Sequence, residues 1–368
     1  MKKLFSFFAF VAIVLTFAAC GGNDGNVPEI NSFRFLVKTL STKEYIKVTA
    51  SNPNAYFYAH GYFYEEETVD DFRKYTEKFF GNETFQQLLE DEDIFQGSKE
   101  FSNSSLISNT EYVFWACRVE EDPETREARI VGDIEYVIYK TMPEYTLNGE
   151  FTVDENGKKV RFMQANMQQV SSSADLTFMT NQLTYLGTNT GYPRDLFTWD
   201  KAMNALPNTA PYRMLSVNEW YYVFKARPNA EKLFAHACIN GTNGVLLLPD
   251  NWQTPDGINL TPSVQMGMEW KDGTYSHLNF NFNGYEKNKY NTAQWETLEF
   301  AGAVFLPAAG GVDGQVDDGV NEYGLYWSST GAGGEASYLL FRPNALFPTH
   351  LYDAYIYNSI RPVREIAE

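Results

Sequence analysis

Polar and apolar residues alternate through Tyr45-Ile46-Lys47-Val48-Thr49, the period-two pattern of a strand with one buried face. After the polar turn Ser51-Asn52-Pro53-Asn54, Ala55-Tyr56-Phe57-Tyr58-Ala59 reads as an aromatic strand. The period then changes. Thr68-Val69-Asp70-Asp71 has the spacing of a helix N-cap, and Val69, Phe72, Tyr75 and Phe79 follow at helical intervals until Gly81. A second short helix is predicted near Thr84 to Leu89. Strands return at Glu111–Cys117 and Ile134–Lys140, so residues 31–142 read strand, strand, helical insert, strand, strand.

Met142-Pro143-Glu144 marks a linker, with the Asn148-Gly149 turn just beyond it. Phe151-Thr152-Val153 and Val160-Arg161-Phe162-Met163 flank Glu155-Asn156-Gly157 and predict a hairpin. Ser216-Val217-Asn218-Glu219 is a capping box that opens a helix through Trp220, Tyr221 and Phe224. Asn240 to Gly244 reads as a turn leading into the buried strand Val245–Leu248. Asn291 starts a second helix carrying Trp295, Leu298 and Phe300, and Gly302 closes it. Short strands interleaved with two helices predict an α+β second domain.

The first residues change the picture. Met1-Lys2-Lys3 precedes an apolar run from Leu4 to Ala19, too short for a membrane span and shaped like a signal peptide. Its end, Phe17-Ala18-Ala19-Cys20-Gly21, resembles the bacterial lipoprotein signal. That resemblance implies removal of residues 1–19, a lipid on Cys20, and a flexible tether over 20–30. The expected location is the cell envelope, anchored to the outer membrane, with surface and periplasmic faces both open. Losing Lys2 and Lys3 takes the formal charge from −18 to −20, which repels phosphate backbones and argues against nucleic acid as a partner. Apolar residues make up 44% of the chain, enough for packed cores. Cys117 and Cys238 sit in apolar runs in separate domains and are expected to be buried and unpaired.

Two resemblances carry the domain assignment. "VTASNPNAYFYAHGYF" followed by "SLISNTEYVFWACRV" resembles the immunoglobulin-like or fibronectin-like domains of Bacteroidota surface lipoproteins, implying a β-sandwich with a helical insertion over 31–142. Further on, "KKVRFMQANMQ", "LTFMTNQLTYLG", "YRMLSVNEWYYVF", "NGTNGVLLLPDNW", "WETLEFAGAVFLPAAG", "YGLYWSST" and "SIRPVR" occur in order. Together they resemble the Fibrobacter succinogenes major paralogous domain family, which implies a C-type-lectin-like fold over 147–366. Two departures stand out: Ala165-Asn166-Met167 replaces the family's usual Gly-Asn-Leu, and Asp353 to Asn358 replaces an Arg…Gly spacing.

The acidic, glycine-rich stretch from Gly310 to Glu322 fails the EF-hand template, because counting back from Gly319 meets Gly314 and Val316 where oxygen ligands are needed. It has no lysine for a phosphate loop. Asp313, Asp317, Asp318 and Glu322 remain a candidate metal set only if they meet in space; a solvated acidic loop is the plainer reading, as it is for Glu65–Glu67 and Glu90–Asp93. Leu248-Pro249-Asp250 departs from the Glu-Pro-Asn calcium triplet of sugar-binding lectins, so Asp250 and Asn251 are expected to cap a turn over a core Trp252. Formylglycine-generating enzymes, which share the implied fold, use two active cysteines, and here only Cys238 is available. His60, His236, His277 and His350 show no metal-site spacing.

Candidate ligand-binding residues are amides and tyrosines. Leu278 to Asn283 alternates, placing Asn279, Asn281 and Asn283 on one face. Arg342, Asn344, His350, Tyr352, Asp353, Tyr355, Tyr357 and Asn358 supply rigid amphipathic contact area. The leading expectation is a non-catalytic envelope lipoprotein without a cofactor, binding a glycan or a protein through its C-terminal domain. An enzyme of the formylglycine-generating type, a retroelement-diversified receptor and a structural surface subunit are the alternatives.

Overall fold

The computed structural model describes residues 32–188, 191–206, 211–263, 283–313 and 316–366, with the backbone alone for 312–313 and 316–318. The expected signal peptide over 1–19, Cys20 and the expected tether over 20–30 lie outside the described residues. The chain divides into two compact units, one ending at Glu144 and the other starting at Tyr145. The boundary falls at the linker read from the sequence.

Unit 1 begins with β1 (Phe33–Thr39), β2 (Glu44–Ala50) and β3 (Tyr56–Phe63). Helices α1 (Val69–Phe80) and α2 (Phe85–Glu90) follow, then β4 (Phe95–Gln96), β5 (Ser98–Asn103), β6 (Glu111–Glu121) and β7 (Ala128–Lys140). One antiparallel sheet has the order β1-β2-β5 and the other β4-β3-β6-β7. Phe33, Ile46 and Val48 from the first sheet share an apolar core with Phe57, Ala59, Phe114 and Ala116 from the second. The opposite face of the second sheet carries Tyr58, Val113, Trp115 and Cys117, packed under the two helices through Phe72, Phe80 and Leu88. Its central strands are therefore buried on both faces, which is why "YVFWAC" is apolar without alternation.

Both helices start at capping boxes, on Thr68 and on Thr84. The buried positions of α1 are Phe72, Thr76 and Phe80, an i, i+4 stripe. Val69, Tyr75 and Phe79 were assigned to that face by spacing but are 37%, 38% and 40% exposed. The cause of the correction lies on β6: Trp115 stacks on Phe72 at 5.0 Å, and its Nε1–H donates to the Thr76 hydroxyl at 3.1 Å, so a threonine occupies the centre of the buried stripe.

Unit 2 opens with the predicted hairpin, β8 (Phe151–Thr152) and β9 (Lys159–Phe162), and a small pair, β10 (Met167–Gln168) and β11 (Thr177–Phe178). Then come α3 (Trp199–Ala205), α4 (Val217–Tyr221), β12 (Phe234–Ile239), β13 (Thr242–Leu247), β14 (Lys289–Tyr290), α5 (Thr292–Phe300) and β15 (Val304–Pro307). The chain finishes with β16 (Gly311–Asp313), β17 (Val316–Asp318), β18 (Gly324–Ala332), β19 (Glu335–Arg342), β20 (Ala345–Asp353) and β21 (Val363–Glu365). The main sheets have the orders β14-β12-β13-β15 and β18-β19-β20, and β21 joins β9 and β8. Asn240 and Gly241, at φ 50° and 84°, form a two-residue turn, so the following strand starts at Thr242 rather than Val245.

Polar groups also hold this unit together. Arg361 is 1% exposed, and its Nη2 donates to Gln182 Oε1 at 2.6 Å. Gln182 Oε1 also accepts the Phe305 N–H at 2.8 Å. Asn166 Nδ2 donates to the Tyr326 hydroxyl at 3.0 Å, which donates in turn to Pro307 O at 2.7 Å. Burial lowers the Arg361 pKa to about 10. Asp195, fully buried, accepts the Leu186 and Thr188 N–H groups; burial raises its carboxyl pKa, and these hydrogen bonds oppose the shift.

Candidate functional site

Three antiparallel strands, β18 to β20, carry four of the residues singled out by sequence, Arg342, His350, Tyr352 and Asp353. Trp327, Tyr338 and Leu340 bury one side of this sheet in the unit 2 core, with Ala354 and Ile356 beyond the last strand. At the far end, Asp353 pairs with Glu335 and Tyr352 with Ala336. The Asp353 Oδ1 accepts the Tyr355 N–H at 2.8 Å. Ala354 is tied on both sides: its N–H donates to Gly334 O at 2.9 Å, and its carbonyl accepts the Trp199 N–H at 3.0 Å. With Ala354 and Ile356 held inside, Tyr355 must project outward and is 68% exposed. On β20, Leu351 and Tyr352 are 53% and 47% exposed and, as consecutive strand residues, face opposite sides of the sheet.

The remaining predicted residues are not on that patch. Arg342 and Asn344 lie at the opposite end of the β19–β20 hairpin, about 25 Å away along an eight-residue strand. The Arg342 guanidinium sits 5.9 Å from the Tyr323 ring centre, and Asn344 is buried. His350 is half-buried against Tyr338, ring centres 4.9 Å apart; burial and then the Arg342 charge lower its pKa. Tyr357 packs beside Leu196 and Ala309. Asn358 is wholly buried, bonded through its backbone to Phe197, and neither amide atom of its side chain has a hydrogen-bond partner. Burial removes Asn344 and Asn358 from any accessible binding face.

Asn279 and Asn281 lie outside the described residues. Asn283 is exposed, and its side-chain oxygen accepts the Tyr285 N–H at 3.1 Å, capping a short turn. The acidic loop holds a small hairpin in which Val312 pairs with Asp317 and Gly311 with Asp318. The Asp313, Asp317 and Asp318 side chains lie outside the description. Glu322 is exposed, and its carbonyl accepts the Tyr285 hydroxyl at 2.9 Å. Among the described residues, carboxylates converge instead in unit 1, where Glu83, Asp91 and Asp93 place ligand atoms within 4.8 Å of one another, two of the three residues being exposed.

His236 and Asp250 are committed to structural partners. The His236 N–H donates to the Ser263 hydroxyl at 2.7 Å, and Nδ1 lies 2.8 Å from the same oxygen. Nε2 faces Ala345 O at 3.3 Å, which fits a neutral ring protonated at Nε2. Burial pushes its pKa down to about 4. Cys117 is buried and Cys238 only half-buried, a correction to the expectation that both are enclosed; both thiols are free. Asp250 does not cap a turn. It accepts Arg227 Nη1 at 3.0 Å and both the N–H and the hydroxyl of Thr152, at 2.7 and 2.6 Å. Trp252 is only partly buried at the edge of its core cluster.

Searches of protein-family models and of curated proteins return no match for this chain. Among the described residues, no helix is long and apolar enough to cross a membrane.

Proposed function

We propose that this chain is a non-catalytic envelope lipoprotein: lipidated at Cys20 and held by the tether, it uses an immunoglobulin-like first domain to carry a C-type-lectin-like second domain that binds a glycan or a protein. The observation that carries the binding role is the end of β20 and the turn after it, where the exposed rings of Tyr352 and Tyr355 stand on a backbone fixed by hydrogen bonds. Tyrosines held this way offer large contact area at little entropic cost. The lipoprotein role rests on the sequence around Cys20, and the domain types rest on the ordered motifs.

The test uses the chain beginning at Cys20, with and without the pair Tyr352→Ala and Tyr355→Ala, on a glycan array and in pull-downs from envelope extracts. Binding by the parent that falls at least tenfold in the double variant supports the reading. Silence in both screens, or binding that ignores the two tyrosines, overturns the assignment of this patch. Radiolabelled palmitate incorporation that persists in Cys20→Ser would overturn the anchor.

A further inference from the structure

In unit 1, β3 is paired with β6 along its whole length from Tyr56 to Phe63, but with β4 only at Tyr56 and Phe57. The Tyr64 N–H donates to Glu111 O, so the alternation of an antiparallel pair aims the backbone groups of Tyr62, His60 and Tyr58 at β6. Those of Ala59, Gly61 and Phe63 then face the other way. The chain that would continue β4 beside them turns aside, because the N–H groups of Asp93 and Ile94 both bond to Leu88 O. Among the described residues no strand pairs with β3 on that side from Ala59 to Phe63, which leaves a strand edge that runs from buried Ala59 to exposed Phe63.

The flank of that edge is aromatic. Tyr75 of α1 stacks on His60 at 5.0 Å, and Phe79 lies 5.2 Å from Tyr58, while both remain more than a third exposed. An open strand edge beside a helix with exposed rings provides the parts with which an extended peptide adds itself as a further strand. The charge selects the partner. Glu65 to Glu67, with Asp70 and Asp71, follow one end of the edge, and Glu90 to Asp93 precede β4 at the other. Neither 64–71 nor 90–94 contains a lysine or arginine. A second copy of the chain would set acidic ends against acidic ends, and like charges facing across strands are unfavourable.

We propose that the β3 edge at Ala59–Phe63 binds an extended, lysine- or arginine-bearing peptide as an added strand. The probe is a fluorescein-labelled Lys-Val-Lys-Thr-Val-Lys-Thr peptide, titrated against the full chain by fluorescence anisotropy. Saturable binding is expected. N-methylating alternate amides of the peptide should weaken it roughly tenfold by removing backbone bonds while leaving its charge intact. Phe63→Pro removes an outward N–H and should weaken binding to a similar extent, with thermal melting as the check on folding. Should that variant fail to fold, Glu66→Lys with Asp91→Lys serves as the second arm, losing the lysine peptide and gaining its glutamate counterpart. Equal binding of the N-methylated peptide, or no binding below about 1 mM, overturns the proposal. So does a dimer of the parent chain that Phe63→Pro dissolves, since a second copy would then own the edge.

Discussion

Replacing Asp250 by alanine is expected to cost unit 2 several kcal/mol, although more than a quarter of the Asp250 side chain faces water. The reason is its partner. The Arg227 side chain is 0% exposed, and its other bonds, to Val223 O at 2.7 Å and Leu233 O at 3.2 Å, go to neutral carbonyls. Asp250 supplies the balancing charge, and burial already lowers the Arg227 pKa against its pull. Breaking a buried pair by removing one partner costs about 3–5 kcal/mol. At 30% exposure of the Asp250 side chain, water can enter the vacated place, which points to the lower end, about 3 kcal/mol. For a domain of this size that is a fall in melting temperature of roughly 6–12 °C. Six of the seven tryptophans lie after Tyr145, so urea unfolding followed by tryptophan fluorescence reports mainly on unit 2. Arg227→Met combined with Asp250→Ala should recover part of the loss. A single variant within about 1 kcal/mol of the parent, or a double variant showing the plain sum of its two parts, would refute the assignment.

Two further outcomes follow from burial. His236 has a folded-state pKa of about 4 against 6.5 in the open chain, so between these values the unfolded state binds more protons. Stability should fall by about 3 kcal/mol as pH drops through that window, and denaturant midpoints of the parent should lose more than those of His236→Leu; parallel curves would contradict this. The Cys117 thiol, pushed up to about 12 by burial, should resist a thiol reagent until the chain unfolds, while half-buried Cys238 labels first; simultaneous labelling of both in the native protein would count against the fold around β6.

Local signals were legible where the chemistry is local. The residues Thr68, Ser216 and Asn291, read as helix starts, each accept the expected backbone N–H, because a cap needs only residues three apart. The division near residue 144 was readable from proline and turn residues. The helical insert was readable too, but its buried face was not: periodicity ranked Tyr75 above Thr76, and only the distant Trp115 reverses that order. The binding stretch failed in the same way. Tyr355 and Asn358 look equally suited to a ligand in sequence, yet Asn358 is fixed inside by pairing with Phe197, and no local pattern carries that contact. Asp250 was misread because Arg227, which decides its role, is 23 residues away.

The strand β21 has a consequence for the order of events during synthesis. It completes the sheet begun by the β8–β9 hairpin, and Arg361 just ahead of it reaches Asn166 across 195 positions of sequence. Contacts of such separation form late, since the chain between them must first be brought together. Unit 1 draws its core entirely from residues before 145 and can close while synthesis continues. Unit 2 has no early resting point of that kind: until Arg361 emerges, Gln182 and Asn166 lack the guanidinium that ties them together, and a chain cut ahead of residue 361 loses both that tie and the strand that completes the β8–β9 sheet.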